Sequence, residues 1–189
     1  MAEQRTEEWR QQRLGKVTAS RVVDIMPGKK GNYLASRKNY MAELICEILT
    51  GEEPEGYISA AMQWGIDTEP LARSEYEVQN DVMIEEVGFI DHPTIERLGG
   101  SPDGLVGEDG GVEIKCPNTA THIDTLLGQK VDRAYEYQIH ANMMCTGRQW
   151  WDFFSFDPRL PDHLSSFTKR YEKDDQIDAE ISIEVDKFN

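Results

Sequence analysis

Apolar residues spaced three and four apart predict helices along much of the chain. The pattern is clearest over 36–50, which ends before the stop signal Gly51. Weaker spacing, helped by capping residues, predicts further helices over 6–14, 19–26, 59–79, 121–127 and 134–145. The longest of these contains Pro70, so we expect the helix to restart there with Thr68 as its cap.

Strands are predicted between these helices, and the aromatic segment 149–156 is the most strand-like of them. Further strands are expected over 82–90, 95–99, 112–117 and 163–171, and the acidic segment 174–187 has weak helical or strand periodicity. Strands interleaved with helices indicate an α/β (α+β) fold with a mixed central β-sheet flanked by helices on both faces. The length of 189 residues suggests one domain over 1–189.

The formal charge of −15 argues against a generic nucleic-acid binder. The charge is uneven, however, because residues 1–40 hold nine Lys and Arg against four Asp and Glu, a net of +5. A basic N-terminal region on an acidic body could confine DNA to one place. An acidic, well-solvated surface with a chance basic start is the alternative, and charge alone does not separate the two.

Cysteine, histidine and hydropathy patterns exclude several classes of protein. Three widely spaced cysteines fit reduced thiols better than a disulfide framework, and the four histidines lack zinc spacing. The first ten residues are polar and no apolar run is long enough to span a membrane, so we expect neither a signal peptide nor membrane association. We therefore expect a cytoplasmic protein.

The stretch over 99–117 combines two turns with two short strands and carries the candidate chemistry. Side chains alternate along a strand, so Glu113 and Lys115 share one face while Ile114 points to the other. A reversal at 108–111 can bring Asp103 from the first turn to the same face. Two carboxylates about 5 Å apart repel by ~3 kcal/mol at an effective dielectric of ~20, so such a cluster favours a divalent cation.

Hard oxygen ligands suit Mg²⁺ or Mn²⁺, and a nearby lysine can hold an attacking water or stabilise a phosphate. Metal-assisted phosphodiester hydrolysis is the chemistry that fits this set. A Pro-Asp-Gly turn and an amphipathic Glu-Ile-Lys strand are also common structural patterns, so the motif by itself leaves a purely structural role open.

Three other positions invite a functional and a structural interpretation. Hydroxyls of Thr18 and Ser20 at a helix start, with Arg13 or Arg21 nearby, could grip a phosphate, although Thr18 could simply cap the helix. Glu69, near the expected restart at Pro70, could supply a third acid or merely complement the helix dipole. Gln138 is a long polar residue on a small-residue face, which suits a site or a structural hydrogen bond.

Six short motifs occur in an order that resembles the lambda-type phage exonucleases, viral recombination nucleases of the restriction-endonuclease-like superfamily with its PD-(D/E)xK pattern. They are Trp9…Arg13-Leu14-Gly15…Thr18-Ala19-Ser20, Trp64-Gly65…Glu69, Ser101-Pro102-Asp103-Gly104, Glu113-Ile114-Lys115-Cys116-Pro117, Gln138 and Asp157-Pro158-Arg159. The resemblance covers about residues 9–170.

The resemblance implies roles for particular residues. Asp103, Glu113 and the Ile114 carbonyl would hold a pair of Mg²⁺ ions, with Mn²⁺ as a substitute, and Glu69 would be the added carboxylate. Lys115 would orient the attacking water and Gln138 would steady the lysine or that water. The 5′-phosphate of the shortened strand would be held by three residues: Arg13, Ser20 and Ser101.

The family degrades the 5′-ended strand of linear duplex DNA, releases mononucleotides and leaves a 3′ single strand. The resemblance therefore implies a phage or prophage enzyme that acts on double-stranded DNA ends and works with a single-strand annealing protein. It also implies a homotrimeric ring, which would place negative charge outside and basic residues along the central channel. The chain stops soon after the last predicted strand, so we expect the long C-terminal helix of the lambda protein to be short or missing.

Other functions remain open from the sequence. A second PD-(D/E)xK enzyme, such as a restriction-type endonuclease, would cut closed circular DNA. A Cas4-like exonuclease normally needs four cysteines for its iron–sulfur cluster, and only three are present, at unsuitable spacing. A catalytically inactive DNA-end-binding module is a third possibility, although all the candidate catalytic residues are present.

Overall fold

A computed structural model of the chain describes residues 3–54 and 56–189. Over these residues, helices and strands follow in the order α1 Glu7–Arg13, β1 Val17–Thr18, α2 Val22–Ile25, α3 Ala35–Thr50, α4 Ala60–Asn80, β2 Ile84–Glu85, β3 Ile90–Asp91, β4 Leu98–Gly100, β5 Gly104–Val106, β6 Gly110–Lys115, α5 Thr119–Gly128, α6 Arg133–Thr146, β7 Trp150–Phe156, β8 Ser166–Glu172 and α7 Asp175–Phe188. This is the mixed α/β class that the interleaved pattern predicted.

The strands form two mixed sheets rather than the one central sheet expected. The larger has the order β2-β5-β6-β7-β8, in which β6 and β7 are parallel and the other pairs antiparallel. The smaller has the order β1-β4-β3. The turn at 101–103 separates β4 from β5, so Gly99 and Gly100 belong to the smaller sheet. The two strands expected in the 99–117 stretch pair with each other in the larger sheet, as β5 and β6.

Helices cover both faces of the larger sheet, as the sequence pattern predicted. On one face, Ala72 and Tyr76 of α4 pack in a cluster with Val112 and Ile114 of β6. On the other face, α6 contributes to a second buried cluster: Ile139 and Met143 with Trp151 and Phe153. Successive residues of β6 and β7 therefore enter opposite cores, and β6 lies in the middle of the layers.

Helix α4 runs unbroken through Pro70 from its cap at Ser59, so the expected restart capped by Thr68 was wrong. A proline inside a helix removes one hydrogen bond and crowds the preceding turn. The packing of Ala72 and Tyr76 on the sheet holds the helix together beyond that point. Glu69 consequently lies in the middle of α4, and the helix-dipole explanation for it no longer applies.

The acidic segment near the C-terminus is the helix α7, which the weak periodicity had left undecided. Asp174 caps it by accepting a hydrogen bond from the backbone N–H of Gln176 at 2.8 Å. Ile181, Val185 and Phe188 lie at helical spacing and are buried against α2, α3 and α6. Among the helices of the described residues, none is both long and apolar enough to cross a membrane.

Candidate active site

Strand β6 positions Glu113 and Lys115 on one face. Glu113 is fully buried, and the ammonium of Lys115 donates a 2.5 Å hydrogen bond to Oε1 of the Glu113 carboxylate. Ile114 points the other way, into the core beneath α4. The alternation expected for this strand therefore places the acid and the amine together, facing α6.

Asp103 lies in the turn that leads into β5, directly beside β6. Because β5 pairs antiparallel with β6, with Gly104 opposite Val112, this turn meets the C-terminal half of β6. Oδ2 of Asp103 accepts a 2.7 Å hydrogen bond from the backbone N–H of Ile114. The Asp103 carboxylate is thus held next to the strand that carries Glu113 and Lys115.

Glu69 reaches the same place from α4. Its carboxylate forms ion pairs with Arg5 at 3.1 Å and with Arg73 at 3.0 Å. A cavity of about 600 Å³, here called the acid cleft, is lined by Arg5, Ser20, Ala61, Met62, Gly65, Ile66, Glu69, Asp103, Ile114, Lys115, Cys116, Pro117 and Tyr135. Glu69, Asp103 and Lys115 therefore face one space, with Glu113 buried behind Lys115.

Helix α6 supplies two amides to Glu113. Nε2 of Gln138 donates to Oε1 of Glu113 at 2.6 Å, and Nδ2 of Asn142 approaches Oε2 at 3.4 Å. Gln138 therefore contacts the carboxylate, whereas the resemblance implied that it would steady Lys115 or a water. Asn142 was not singled out from the sequence, although a second amide four residues after Gln138 on a helix is a signal that could have found it.

The ionisable groups of this cluster shift one another's pKa values. Burial, followed by the neighbouring charge of Asp103, raises the pKa of Glu113 above its usual value despite the opposing effect of Lys115. Burial and Asp103 also raise the pKa of Glu69. Burial alone would lower the pKa of Lys115, but Glu113 and Asp103 outweigh it and raise that pKa, so Lys115 stays charged at neutral pH. A charged ammonium can donate hydrogen bonds and offset negative charge, but it cannot accept a proton.

The three acids do not surround one common point in the described part of the chain, where no group of three or more His, Cys, Asp or Glu side chains is arranged to hold a metal. Each carboxylate has another partner: arginines for Glu69, a backbone N–H for Asp103, and Lys115 with Gln138 for Glu113. The donor set nevertheless fits a hard divalent cation, because it consists of carboxylate and carbonyl oxygens, and the charge of Asp103 adds to burial in raising the pKa values of Glu69 and Glu113.

A second cavity of about 220 Å³, here called the Arg13 pocket, adjoins the acid cleft. It is lined by Gln4, Arg5, Trp9, Arg13, Thr18, Ala19, Ser20, Ser101 and Gln138, and it shares Arg5 and Ser20 with the cleft. The guanidinium of Arg13 lies 3.9 Å above the ring of Trp9. The structure thus brings Arg13, Ser20 and Ser101 together beside the acids, although they lie in three separate parts of the sequence.

The sequence left open whether Thr18 only caps a helix and whether Arg13 or Arg21 lies near the hydroxyls, and the structure bears on both questions. Within the described chain, the side chain of Thr18 makes no capping hydrogen bond to the short 3₁₀ turn Ala19–Arg21 that follows it. Arg21 pairs with Asp24 at 2.5 Å and with Glu43 at 2.9 Å, on the wall of a different cavity. Arg13, which borders both cavities, therefore lines the pocket that contains the two serines, together with Arg5, whereas Arg21 does not line it.

Comparison with known proteins places this geometry in a family. The model of the YqaJ-like viral recombinase domain matches residues 8–149, which include all the site residues described above except Gln4 and Arg5. None of the curated protein sequences gives a significant match. The matched span confirms the resemblance to viral recombination nucleases that the motif order indicated.

The chain is also similar to solved structures of exonucleases. The crystal structure of an alkaline exonuclease, LHK-Exo from Laribacter hongkongensis, is 55% identical over 97% of this chain and 90% of that chain, with a TM-score of 0.90. The same enzyme in complex with dAMP matches at 54% identity over the same shares of the two chains, with a TM-score of 0.91. A phage-related exonuclease from Haemophilus somnus 129PT shares the fold, with 16% identity, coverage of 92% and 91%, and a TM-score of 0.74.

Proposed function

Because this chain belongs to the YqaJ-like viral recombinase family, we propose that it is a deoxyribonuclease that degrades linear double-stranded DNA from its 5′ ends. It releases 5′-mononucleotides and leaves 3′ single-stranded overhangs for recombination by strand annealing. The alkaline exonuclease relative, and the dAMP found with it, support a nuclease that handles single nucleotides.

The observation that carries this proposal is the adjacency of the acid cleft and the Arg13 pocket, which share Arg5 and Ser20. A 5′-phosphate bound by Arg13, Ser20 and Ser101 would present the next phosphodiester to Asp103 and Lys115. A guanidinium and hydroxyls are suitable partners for a phosphate. This arrangement fits removal of one nucleotide at a time from an end.

The residues of the cleft would divide the work of hydrolysis. Lys115 holds the attacking water by a hydrogen bond and offsets the negative charge that develops on the phosphate. Gln138 and Asn142 fix the Glu113 carboxylate, which in turn fixes the ammonium of Lys115. Ile66 and Met62 on α4 supply the apolar part of the wall of the cleft.

Asp103, Glu113, Glu69 and the Ile114 carbonyl would hold Mg²⁺, two ions per site, with Mn²⁺ as a substitute. The ions would stabilise negative charge on the phosphate and lower the pKa of a bound water. The three carboxylates would have to give up some of the hydrogen bonds and ion pairs that they now make with Lys115, Arg5, Arg73 and a backbone N–H.

The assembly and the setting follow from the same proposal. We propose a single nuclease domain that acts in the cytoplasm of a bacterial host, as a homotrimer and with a single-strand annealing protein. Support for self-association comes from α3, whose apolar side chains at Met41, Ile45, Ile48 and Leu49 are exposed. Light scattering coupled to size-exclusion chromatography would report the mass, and a monomer would exclude the trimer.

Digestion of defined DNA substrates tests the activity. Linear duplex with a 5′-phosphate should yield mononucleotides and long 3′ overhangs in Mg²⁺, and no product in EDTA. Closed circular duplex should stay intact, because the enzyme requires an end. Cutting of the circle would instead identify an endonuclease, and absence of any digestion would leave a DNA-end-binding module.

A further inference from the structure

The segment before α1 is hydrogen-bonded to the chain beside the acid cleft. The side-chain amide of Gln4 donates to the backbone carbonyls of Val87 at 2.9 Å and Pro102 at 2.7 Å. Pro102 immediately precedes Asp103, so Gln4 pins this segment to the turn that carries the acid. On the other side of Arg5, Thr6 caps α1 by accepting from the backbone N–H of Trp9.

Arg5 lies between these two anchors in an uncommon backbone conformation, with a φ of 69°. Left-handed φ values are rare for residues other than glycine, and they persist where the surroundings impose them. Here Arg5 is the third residue of a turn over 3–6, which is closed by the backbone N–H of Thr6 donating to the carbonyl of Glu3 at 3.4 Å, and a positive φ is common at that position. The chain thus holds its position 5 beside the cleft at a conformational cost.

The side chain of Arg5 lines both the acid cleft and the Arg13 pocket. Its guanidinium donates to Oε2 of Glu69 at 3.1 Å, and its side chain is 53% exposed. Glu69 has a second and better buried partner in Arg73, at 3.0 Å. An exposed ion pair is worth roughly 0.2–1 kcal/mol, so Arg5 can exchange Glu69 for another anion while Arg73 stays in place.

We propose that Arg5 binds the scissile phosphate, the first internucleotide phosphate of the 5′-ended strand, between the terminal phosphate at Arg13 and the acids of the cleft. The inference rests on the proposed function and adds a phosphate contact from outside the residues of the matched family domain. A guanidinium binds phosphate oxygens through two parallel N–H bonds, which suits it to orient this group. Arg5 is therefore a substrate-binding residue that also relieves repulsion between the DNA and the carboxylates.

Binding of a labelled duplex in EDTA tests this contact without cleavage. The duplex carries one accessible 5′-phosphorylated end, and its affinity is measured for the unchanged protein, Arg5→Gln and Arg5→Lys. Arg10→Gln is the matched control, because Arg10 lies on α1 and pairs only weakly, at 3.6 Å, with Glu7. Arg5→Gln should bind about tenfold more weakly, with a salt dependence about one charge shallower, whereas Arg10→Gln should not change either quantity.

A duplex with an uncharged methylphosphonate at the first linkage identifies the contacted phosphate. The unchanged protein should bind this modified duplex more weakly than the unmodified one. Arg5→Gln should bind the modified duplex almost as well as the unchanged protein does, because the charged phosphate that Arg5 contacts is already gone. With a methylphosphonate at the third linkage instead, the two proteins should still differ about tenfold in affinity. Arg5→Lys keeps the charge but not the paired N–H bonds, so it should retain the salt dependence while losing part of the affinity.

Steady-state digestion in Mg²⁺ gives a second measurement and separates the two possible failures. If the unchanged protein does not digest linear DNA, the proposed function fails. If it does, and Arg5→Gln matches Arg10→Gln in affinity and in kcat/KM, the assignment of Arg5 fails. The assignment also fails if Arg5→Gln weakens binding of the first-linkage methylphosphonate duplex as much as it weakens binding of the unmodified duplex. Arg5 would then act only by holding Glu69.

Discussion

The indole N–H of Trp9 donates a 2.9 Å hydrogen bond to the hydroxyl of Ser101, a residue 92 positions away in the chain. The guanidinium of Arg13 lies over the same indole ring. Trp9 therefore positions two of the three side chains proposed to hold the 5′-phosphate. One aromatic residue on α1 couples the start of the chain to the turn that precedes β5.

This relationship predicts the effect of Trp9→Phe. Phenylalanine keeps a ring beneath Arg13 but removes the N–H that orients the Ser101 hydroxyl. One neutral hydrogen bond is worth about 1 kcal/mol, so the preference for 5′-phosphate over 5′-hydroxyl ends should fall about threefold to tenfold. Initial rates on the two ends measure this ratio, and an unchanged ratio would show that the bond does not matter for end selection.

Arg13→Ala should have a larger effect on the same ratio, because it removes the charge. We expect the preference for phosphorylated ends to fall by at least tenfold, while digestion of hydroxyl ends changes little. Arg10→Ala, a change on the same helix, is the control. If both variants keep the preference of the unchanged protein, Arg13 is not the anchor of the terminal phosphate.

Lys115→Ala should abolish cleavage and spare DNA binding, since it removes the donor proposed to face the phosphate but leaves the Arg13 pocket intact. We expect a rate loss of at least 100-fold with affinity within about threefold of the unchanged protein. Lys187→Ala, at the end of α7, is the control because Lys187 contacts Glu184 away from the cleft. Near-normal cleavage by Lys115→Ala would remove this lysine from the mechanism.

Asp103→Asn should lose metal-dependent activity without loss of stability. Asparagine can still accept the hydrogen bond from Ile114, and it removes a charge that raises the pKa values of Glu113 and Glu69. The free energy of unfolding in EDTA should stay the same or rise by up to about 1 kcal/mol. Urea denaturation measures it beside Asp109→Asn, a change in the exposed reversal between β5 and β6; a clear loss of stability would indicate a structural role for Asp103.

Asp157 provides a test of stability against pH. Burial alone would raise the pKa of Asp157, but hydrogen bonds from Arg159 and Thr119 outweigh it and lower the pKa to about 2. A lowered carboxyl pKa stabilises the folded state above the unfolded value near 4, and that contribution is lost as the pH falls towards 2.

Asp157→Asn should therefore cost about 2 kcal/mol of unfolding free energy at pH 7, and the difference from the unchanged protein should shrink at pH 3. Urea denaturation at the two pH values measures both quantities. A difference that is the same at both pH values would show that the ionised form of Asp157 does not stabilise the fold.

Much of the fold was predictable because it depends on local patterns. The cap at Thr6, the stop at Gly51 and the aromatic strand β7 depend on nearby residues. The unbroken α4 and the division of the strands into two sheets were not predictable. They depend on packing between distant elements, which outweighs the local preference at Pro70.

The candidate site, like the fold, has one part that local sequence determines and another that packing between distant elements determines. The amino-acid sequence alone determined that Glu113 and Lys115 share a strand face, because alternation is a property of any strand, and its motif order indicated the family. Only the tertiary structure decided that Gln138 and Asn142 hold Glu113 and that Arg5 spans both cavities. Those contacts join residues far apart in the chain, and their geometry is set by how the helices pack on the sheets.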